Sequence, residues 1–216
     1  MTNVKKINEQ SLGEEIGNAI SHGIGALLAI VGTTVLIVFA SLYSDIWGLV
    51  SSIIFGLSLI VLYSMSTIYH ALTIKKAKNI FRIFDHSSIF LLILGTYTPF
   101  CLIALRGLNG WLLLGFNAII ALIGITLNAL DLKRWNKASL IGYLLMGWSS
   151  AFVIKPLITA LGTGGITLLL LGGLSYTLGV VFYTRKKTPY MHFIWHFFVL
   201  AGSILHYFCI LLYIIL

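Results

Sequence analysis

Charge is what this sequence has least of. Only 9% of its 216 residues are charged, six acidic and fourteen basic. A soluble domain carries about 25% charged residues. Water cannot solvate a surface so poor in charge, so the solvent for most of the chain is lipid. Cysteine is nearly absent as well. Cys101 and Cys209 are the only two, which excludes a C-x-x-C metal site and a disulfide framework, and free thiols are the default state. No cleavable signal peptide is expected, because no small-residue cleavage site precedes a soluble part. There is no evident internal repeat or low-complexity tract. The formal net charge of +8 does not imply a nucleic-acid partner. The basic residues sit in short clusters between apolar runs, which is a topology signal and not a phosphate footprint.

Hydrophobic residues make up 59% of the chain. A membrane-spanning helix needs about 20 mainly apolar residues. Seven runs qualify: 20–42, 46–72, 83–105, 110–130, 138–155, 163–184 and 190–215. The expected fold class is therefore an all-α integral membrane protein, a bundle of seven transmembrane helices. Residues 1–19 are expected to form a cytoplasmic or interfacial segment, and residues 20–216 a single transmembrane domain. Twelve of the fourteen basic residues fall in the segments before the first run and between runs two and three, four and five, and six and seven. They are Lys5, Lys6, Lys75, Lys76, Lys78, Arg82, Lys133, Arg134, Lys137, Arg185, Lys186 and Lys187. Only Arg106 and Lys155 lie on the other side. The positive-inside rule then puts the amino terminus in the cytoplasm and the carboxyl terminus outside.

Local signals add detail. Ser11-Leu12-Gly13-Glu14 is a capping box that predicts a helix starting near Leu12, lying at the interface before it turns into the first span. Trp47, Trp111, Trp135, Tyr183 and Tyr190 fall near span ends, as an aromatic belt requires. Pro99 removes the hydrogen bond to Gly95 and predicts a kink in the third span.

An ionisable group inside a span costs about 2.5–3.5 kcal/mol on insertion scales, so each one needs a reason. Once the spans are oriented, His22, His70, Asp85, His192 and His196 all fall near the cytoplasmic end, on four different helices. Unrelated polar residues would scatter in depth. His192-Phe193-Ile194-Trp195-His196 places two imidazoles one turn apart on one helix face, able to chelate one metal ion. Ser66 and His70 share the same spacing, and Glu15, Asn18 and His22 follow at three and four. Three histidines with a fourth position open to water describe a catalytic zinc site, and both cysteines are too deep to close it. Asp85 could hold or deprotonate a water at such a site, and Ser66 could donate a hydrogen bond to that water or to a substrate oxyanion. Glu15, Asn18 and His22 read as a fourth ligand set, as supports behind the ligands, or as an interfacial helix face. The second is preferred. His86 is expected to point about 100° away from Asp85, and His206 lies about 21 Å past His192 and reads as a core histidine. Asp131 reads as a cytoplasmic-end charge beside Lys133.

The set Ser66-x-x-x-His70, Asp85-His86-Ser87-Ser88-Ile89-Phe90 and His192-x-x-Trp195-His196 resembles the hemolysin III family. That family is the bacterial branch of the progestin and adipoQ receptor family, in a superfamily that includes the alkaline ceramidases. Glu15-x-x-Asn18-x-x-x-His22 is similar to the family's first motif, and Gly95-Thr96-Tyr97-Thr98-Pro99-Phe100 to its third span. The resemblance runs from about residue 13 to the end. It implies a seven-span multi-pass protein of the bacterial cell membrane, with zinc held by His70, His192 and His196 and with Asp85 acting through a water. It also implies membrane lipids as partners, with a lipid as substrate or ligand, and a role in membrane-lipid homeostasis.

Three function classes follow. The first is a zinc-dependent hydrolase of a lipid amide or ester, ceramidase-like, with Asp85 and Ser66 as its catalytic groups. The second is a pore-forming, cytolytic protein, as the haemolysin name suggests. A pore requires polar positions across the whole bilayer, and here they cluster at the inner end. The third is a lipid-sensing receptor with structural zinc.

Overall fold

The computed structural model describes residues 10–185 and 187–216. Lys5, Lys6 and Lys186, which contribute to the predicted orientation, lie outside the described residues. Every long element is an α-helix, and no strand occurs among the described residues. The helices are α1 (Leu12–Tyr43), α2 (Ile46–Ala71), α3 (Lys75–Pro99), α4 (Leu108–Trp148), α5 (Ile154–Thr184) and α6 (Met191–Ile210). Two end in a π-helical turn, Phe100–Ala104 after α3 and Leu211–Ile215 after α6.

Helix α1 starts where the capping box predicts. The Ser11 hydroxyl accepts from the Glu14 N–H at 3.3 Å, and the Glu14 carboxylate accepts from the Ser11 N–H at 2.8 Å. From there the helix runs 32 residues without a break, about 48 Å. The expected turn between an interfacial helix and the first span is therefore not present. Acidic residues in its first turn suit the positive end of the helix dipole. Asp45 caps α2, its Oδ1 accepting from the N–H groups of Trp47 and Gly48 at 3.0 and 3.1 Å. Its other oxygen binds the Arg106 guanidinium, tying the α1–α2 turn to the turn before α4. That hydrogen bond is the main reason the Asp45 carboxyl titrates below the ordinary carboxylate range. Trp47 and Trp111 pack edge to face beside this pair, with centroids 6.0 Å apart.

Five helical stretches are long and apolar enough to cross a membrane: Leu12–Tyr43, Ile46–Ala71, Lys75–Ala104, Leu108–Thr184 and Met191–Ile215. The 77-residue stretch from Leu108 to Thr184 would be about 115 Å long if straight, against a hydrocarbon core of about 30 Å. It is not straight. Asp131 leaves helical geometry at φ −161°, ψ 91°, and its Oδ1 accepts from the Arg134 N–H at 3.0 Å. Asp131 thus caps the segment that follows it and is more than a charge beside Lys133. Beyond it the chain doubles back. Ser139 donates to Asn128 Oδ1 at 2.6 Å, and Asn117 donates to the Ser149 hydroxyl at 3.0 Å. In both pairs the residue numbers step in opposite directions from the break, as they must in an antiparallel hairpin. Gly162 makes the second reversal at φ 61°, ψ −175°, a conformation open to glycine and almost closed to other residues. Trp148 then donates to Thr177 Oγ1 at 3.1 Å across that turn. The stretch is three antiparallel legs, 108–130, 132–161 and 163–184.

Helix α3 continues through Pro99 by two adjustments. Thr98 Oγ1 donates to the Gly95 carbonyl at 2.7 Å, replacing the N–H that proline lacks. The π-helical turn that follows closes with Leu105 N–H on Phe100 O at 2.8 Å.

Burial is inverted relative to a water-soluble fold. Asn18, Ser66, Asn117, Asn128 and His196 are fully buried, while Leu27, Leu28, Val31, Leu122, Ile123 and Phe152 face outward. Polar residues also reach the middle of the bundle, which the sequence reading had left apolar. There Tyr63 donates to Ser203 at 2.7 Å and Tyr176 bonds the same hydroxyl at 2.8 Å. Cys101 and Cys209 are buried free thiols, as expected.

Candidate metal centre

Three imidazoles converge at one end of the bundle. His70 sits in the last turn of α2, and His192 and His196 stand one turn apart at the start of α6. One donor atom from each lies within 4.8 Å of the other two. Ring centroids are 5.2 Å apart for His70–His192, 5.1 Å for His70–His196 and 4.8 Å for His192–His196. The Nε2 atoms of all three are buried without a hydrogen-bond partner. A buried polar nitrogen with no partner is costly. Three such rings, with one donor nitrogen of each within 4.8 Å of the others, fit a shared metal ion, which accepts a lone pair from each.

Helix α1 supplies none of the three but holds two of them directly. His70 Nδ1 donates to Glu15 Oε2 at 2.7 Å, and Glu15 Oε1 takes an ion pair from Lys78 at 2.9 Å. Since the carboxylate only accepts, the His70 proton is on Nδ1 and its Nε2 lone pair is free. Asn18 Nδ2 lies 3.5 Å from the same Nδ1 and donates to Gln10 at 2.9 Å. Ser21 Oγ lies 3.1 Å from His196 Nδ1. His22 stacks on the His196 ring at 3.5 Å and 12°, and meets Tyr63 edge-on at 5.0 Å. Of the three expected supports, Glu15 bonds the candidate ligand His70, Asn18 lies beside the same nitrogen without bonding it, since both atoms are donors, and His22 meets the candidate ligand His196 by its ring face.

Two contacts here were missing from the sequence reading. Ser21 is one; its spacing of three from Asn18 was a usable signal. The other is Glu14 Oε1, which accepts from the Tyr190 N–H at 2.6 Å. Tyr190 is left-handed at φ 62° and directly precedes α6. A carboxylate at a helix amino terminus is favourable, and this one pins the turn that leads to His192. No spacing rule announces it, because the partners are 176 residues apart.

Ser66 lies one turn before His70, and its hydroxyl is fully buried and unpartnered. Asp85, on α3, is 4% exposed and lies outside the three-nitrogen group. Its Oδ2 is 3.4 Å from His86 Nδ1, which also donates to the Arg82 carbonyl at 3.0 Å. The expectation that His86 points away from Asp85 is corrected by this contact. Tyr143 donates to the His86 carbonyl at 2.7 Å, and Tyr183 donates to Asn136 at 3.0 Å. Tyr183 therefore turns inward, with its ring 6.1 Å from His192 and 5.0 Å from Trp195, and does not serve the interfacial belt. A cavity of about 150 Å³ opens beside His22 and Asp85 and extends between apolar walls that include Ile89, Ile93 and Leu157. His206 lines it elsewhere, bonded to the Leu169 carbonyl at 3.1 Å, in keeping with a core histidine.

Long apolar helices around a buried polar end, with three convergent imidazoles, define a multi-pass membrane protein that carries a candidate metal centre. The chain belongs to the haemolysin-III-related family, whose sequence pattern matches residues 10–207. It is 47% identical over 203 residues to the hemolysin-3 homolog of Bacillus subtilis (strain 168), covering 94% of this chain and 95% of that one. It is 44% identical over 206 residues to hemolysin-3 of Bacillus cereus, covering 95% and 94%. It is 30% identical over 207 residues to the human monocyte to macrophage differentiation factor, covering 93% and 84%. It is a multi-pass protein of the cell membrane.

Proposed function

We propose that this protein is a zinc-dependent hydrolase of lipid amides or esters. The observation that carries the reading is the convergence of three buried imidazoles whose Nε2 atoms have no partner, with the buried Asp85 carboxylate lining an apolar cavity. A bound zinc ion supplies Lewis acidity, which polarises a carbonyl and lets a water lose a proton near neutral pH. The chain's own groups do the rest. Asp85 takes the proton from the attacking water. The new carbon–oxygen bond forms as the bond to the amine or alcohol breaks, and Asp85 returns the proton to that leaving group. Ser66 donates a hydrogen bond to the carbonyl oxygen as negative charge develops on it. The apolar walls take the acyl chain.

Purified protein is expected to release fatty acid from a ceramide, an acyl-amide or a lysolipid. Chelation should stop the release and added zinc should restore it. Stoichiometric zinc with no turnover of any of these lipids would sink the hydrolase and favour a lipid sensor with structural zinc. Zinc-independent conductance in reconstituted bilayers would favour a pore.

The same reading has seven crossings with a cytoplasmic amino terminus. Support comes from the two reversals at Asp131 and Gly162, which divide the longest stretch into three legs, and from the basic residues beside the histidine end of α2 and α3. A periplasmic-type phosphatase fused after Leu216 should be active in cells, and green fluorescent protein fused there should be dark. The reverse pattern means an even number of crossings or an amino terminus outside.

A further inference from the structure

The three ligand candidates differ in what holds them. His70 has the Glu15 carboxylate. His196 has a neutral hydroxyl whose direction decides which ring nitrogen is free. Ser21 has one hydroxyl proton to give, and two neighbours stand within reach. The Asn18 carbonyl is 3.0 Å away and His196 Nδ1 is 3.1 Å away. A carbonyl can only accept, so the proton goes to Asn18, a bond that serines in helices commonly make to the preceding turn. The Ser21 oxygen then presents a lone pair to His196, and Nδ1 must carry the ring proton.

The opposite arrangement fails on a second count. If Ser21 donated to Nδ1, the proton of the neutral ring would sit on Nε2. That atom is buried and has no hydrogen-bond partner. A buried donor without an acceptor costs about 1–3 kcal/mol. The His22 ring, stacked at 3.5 Å on the other side, keeps His196 from rotating away.

We infer that Ser21 is a positioning residue of the metal centre: by donating to Asn18 and accepting from His196 Nδ1, it fixes His196 as the tautomer whose Nε2 binds metal. This rests on the metal-centre reading above. Glu15 and Ser21, six residues apart on α1, then do the same service for ligands on two different helices. Helix α1 presets the lone pairs of α2 and α6 before any ion arrives.

The test uses the full chain in detergent, titrated with Co²⁺ and followed by visible ligand-field absorption, with zinc competition for affinity. Ser21→Ala should weaken metal affinity about 10–100-fold, the range for losing a hydrogen bond behind a ligand. Ser21→Thr, which keeps the hydroxyl, should restore most of it. Thermal unfolding of the metal-free variants shows whether each one folds. A direct measurement needs no variant: in metal-free protein labelled with ¹⁵N-histidine, His196 should carry its proton on Nδ1. Wild-type affinity in Ser21→Ala, or a proton on Nε2, overturns the role of Ser21 and leaves the metal centre standing. A wild-type chain that binds no Co²⁺ or Zn²⁺ overturns both.

Discussion

His196→Ala is expected to abolish stoichiometric metal binding. The wild-type chain should carry about one zinc ion, and the variant should lose more than the roughly 100-fold in affinity that removal of a supporting hydrogen bond can cost. Catalytic zinc sites use three protein ligands, and the variant keeps two, His70 and His192. Among the described residues no other group belongs to the cluster of donor atoms: Asp85 and both cysteines lie outside it, and so does His22, whose ring stacks on that of His196. The lost ring is also fully buried and supports His22, so folding must be separated from ligation. His206→Ala is the control. It removes another buried histidine from α6, bonded to the Leu169 carbonyl and lining the cavity away from the cluster. It should lower thermal stability and keep its metal. Elemental analysis of both purified variants decides the matter, and full zinc in His196→Ala would remove the basis of the metal centre.

How much of this was legible beforehand depends on the distance over which each signal acts. Helical spacing is local, so His192 and His196 could be paired from four residues of sequence, and Ser66 placed above His70 in the same way. Depth is nearly as local. Hydropathy and the basic clusters order the spans, and that ordering brings His70 to the level of His192 although 122 residues separate them. The start of α1 was legible because a capping box is written in four consecutive residues.

What escaped was either lateral or conformational. Which helix faces touch is set by side-chain packing, so the Glu14 bond to Tyr190 and the Ser21 contact with His196 had no periodic mark. His86 was misread because the rotation of 100° per residue describes where side chains leave the helix, not where flexible ends finish. His86 bends to the Arg82 carbonyl and meets Asp85 on the way. The turn at Asp131 was read as charge alone, when an Asp three residues before the Arg134 N–H is also a cap. At Pro99 the lost hydrogen bond was legible, but not that Thr98 supplies a donor to the Gly95 carbonyl or that a π-helical turn follows.

Asp85→Asn should separate binding from chemistry. Asparagine has the same shape and a polar tip of similar size, but it cannot take a proton at neutral pH. Two of the three imidazoles take their hydrogen bonds from elsewhere: His70 leans on Glu15 and His196 on Ser21. Metal content should therefore stay near one ion per chain. Turnover of the lipid amide or ester should fall about 10²–10⁴-fold, the usual contribution of a positioned general acid–base group, mainly in kcat. Since the cavity walls beyond Asp85 are apolar and unaltered, KM should change little. His86→Gln tests the alternative that Asp85 merely partners its neighbour. It breaks the 3.4 Å contact while leaving the carboxylate in the cavity, and should retain most of the activity. Wild-type turnover in Asp85→Asn would remove Asp85 from the chemistry. Loss of the metal together with the activity would instead make Asp85 a ligand, which its place outside the three-nitrogen cluster argues against.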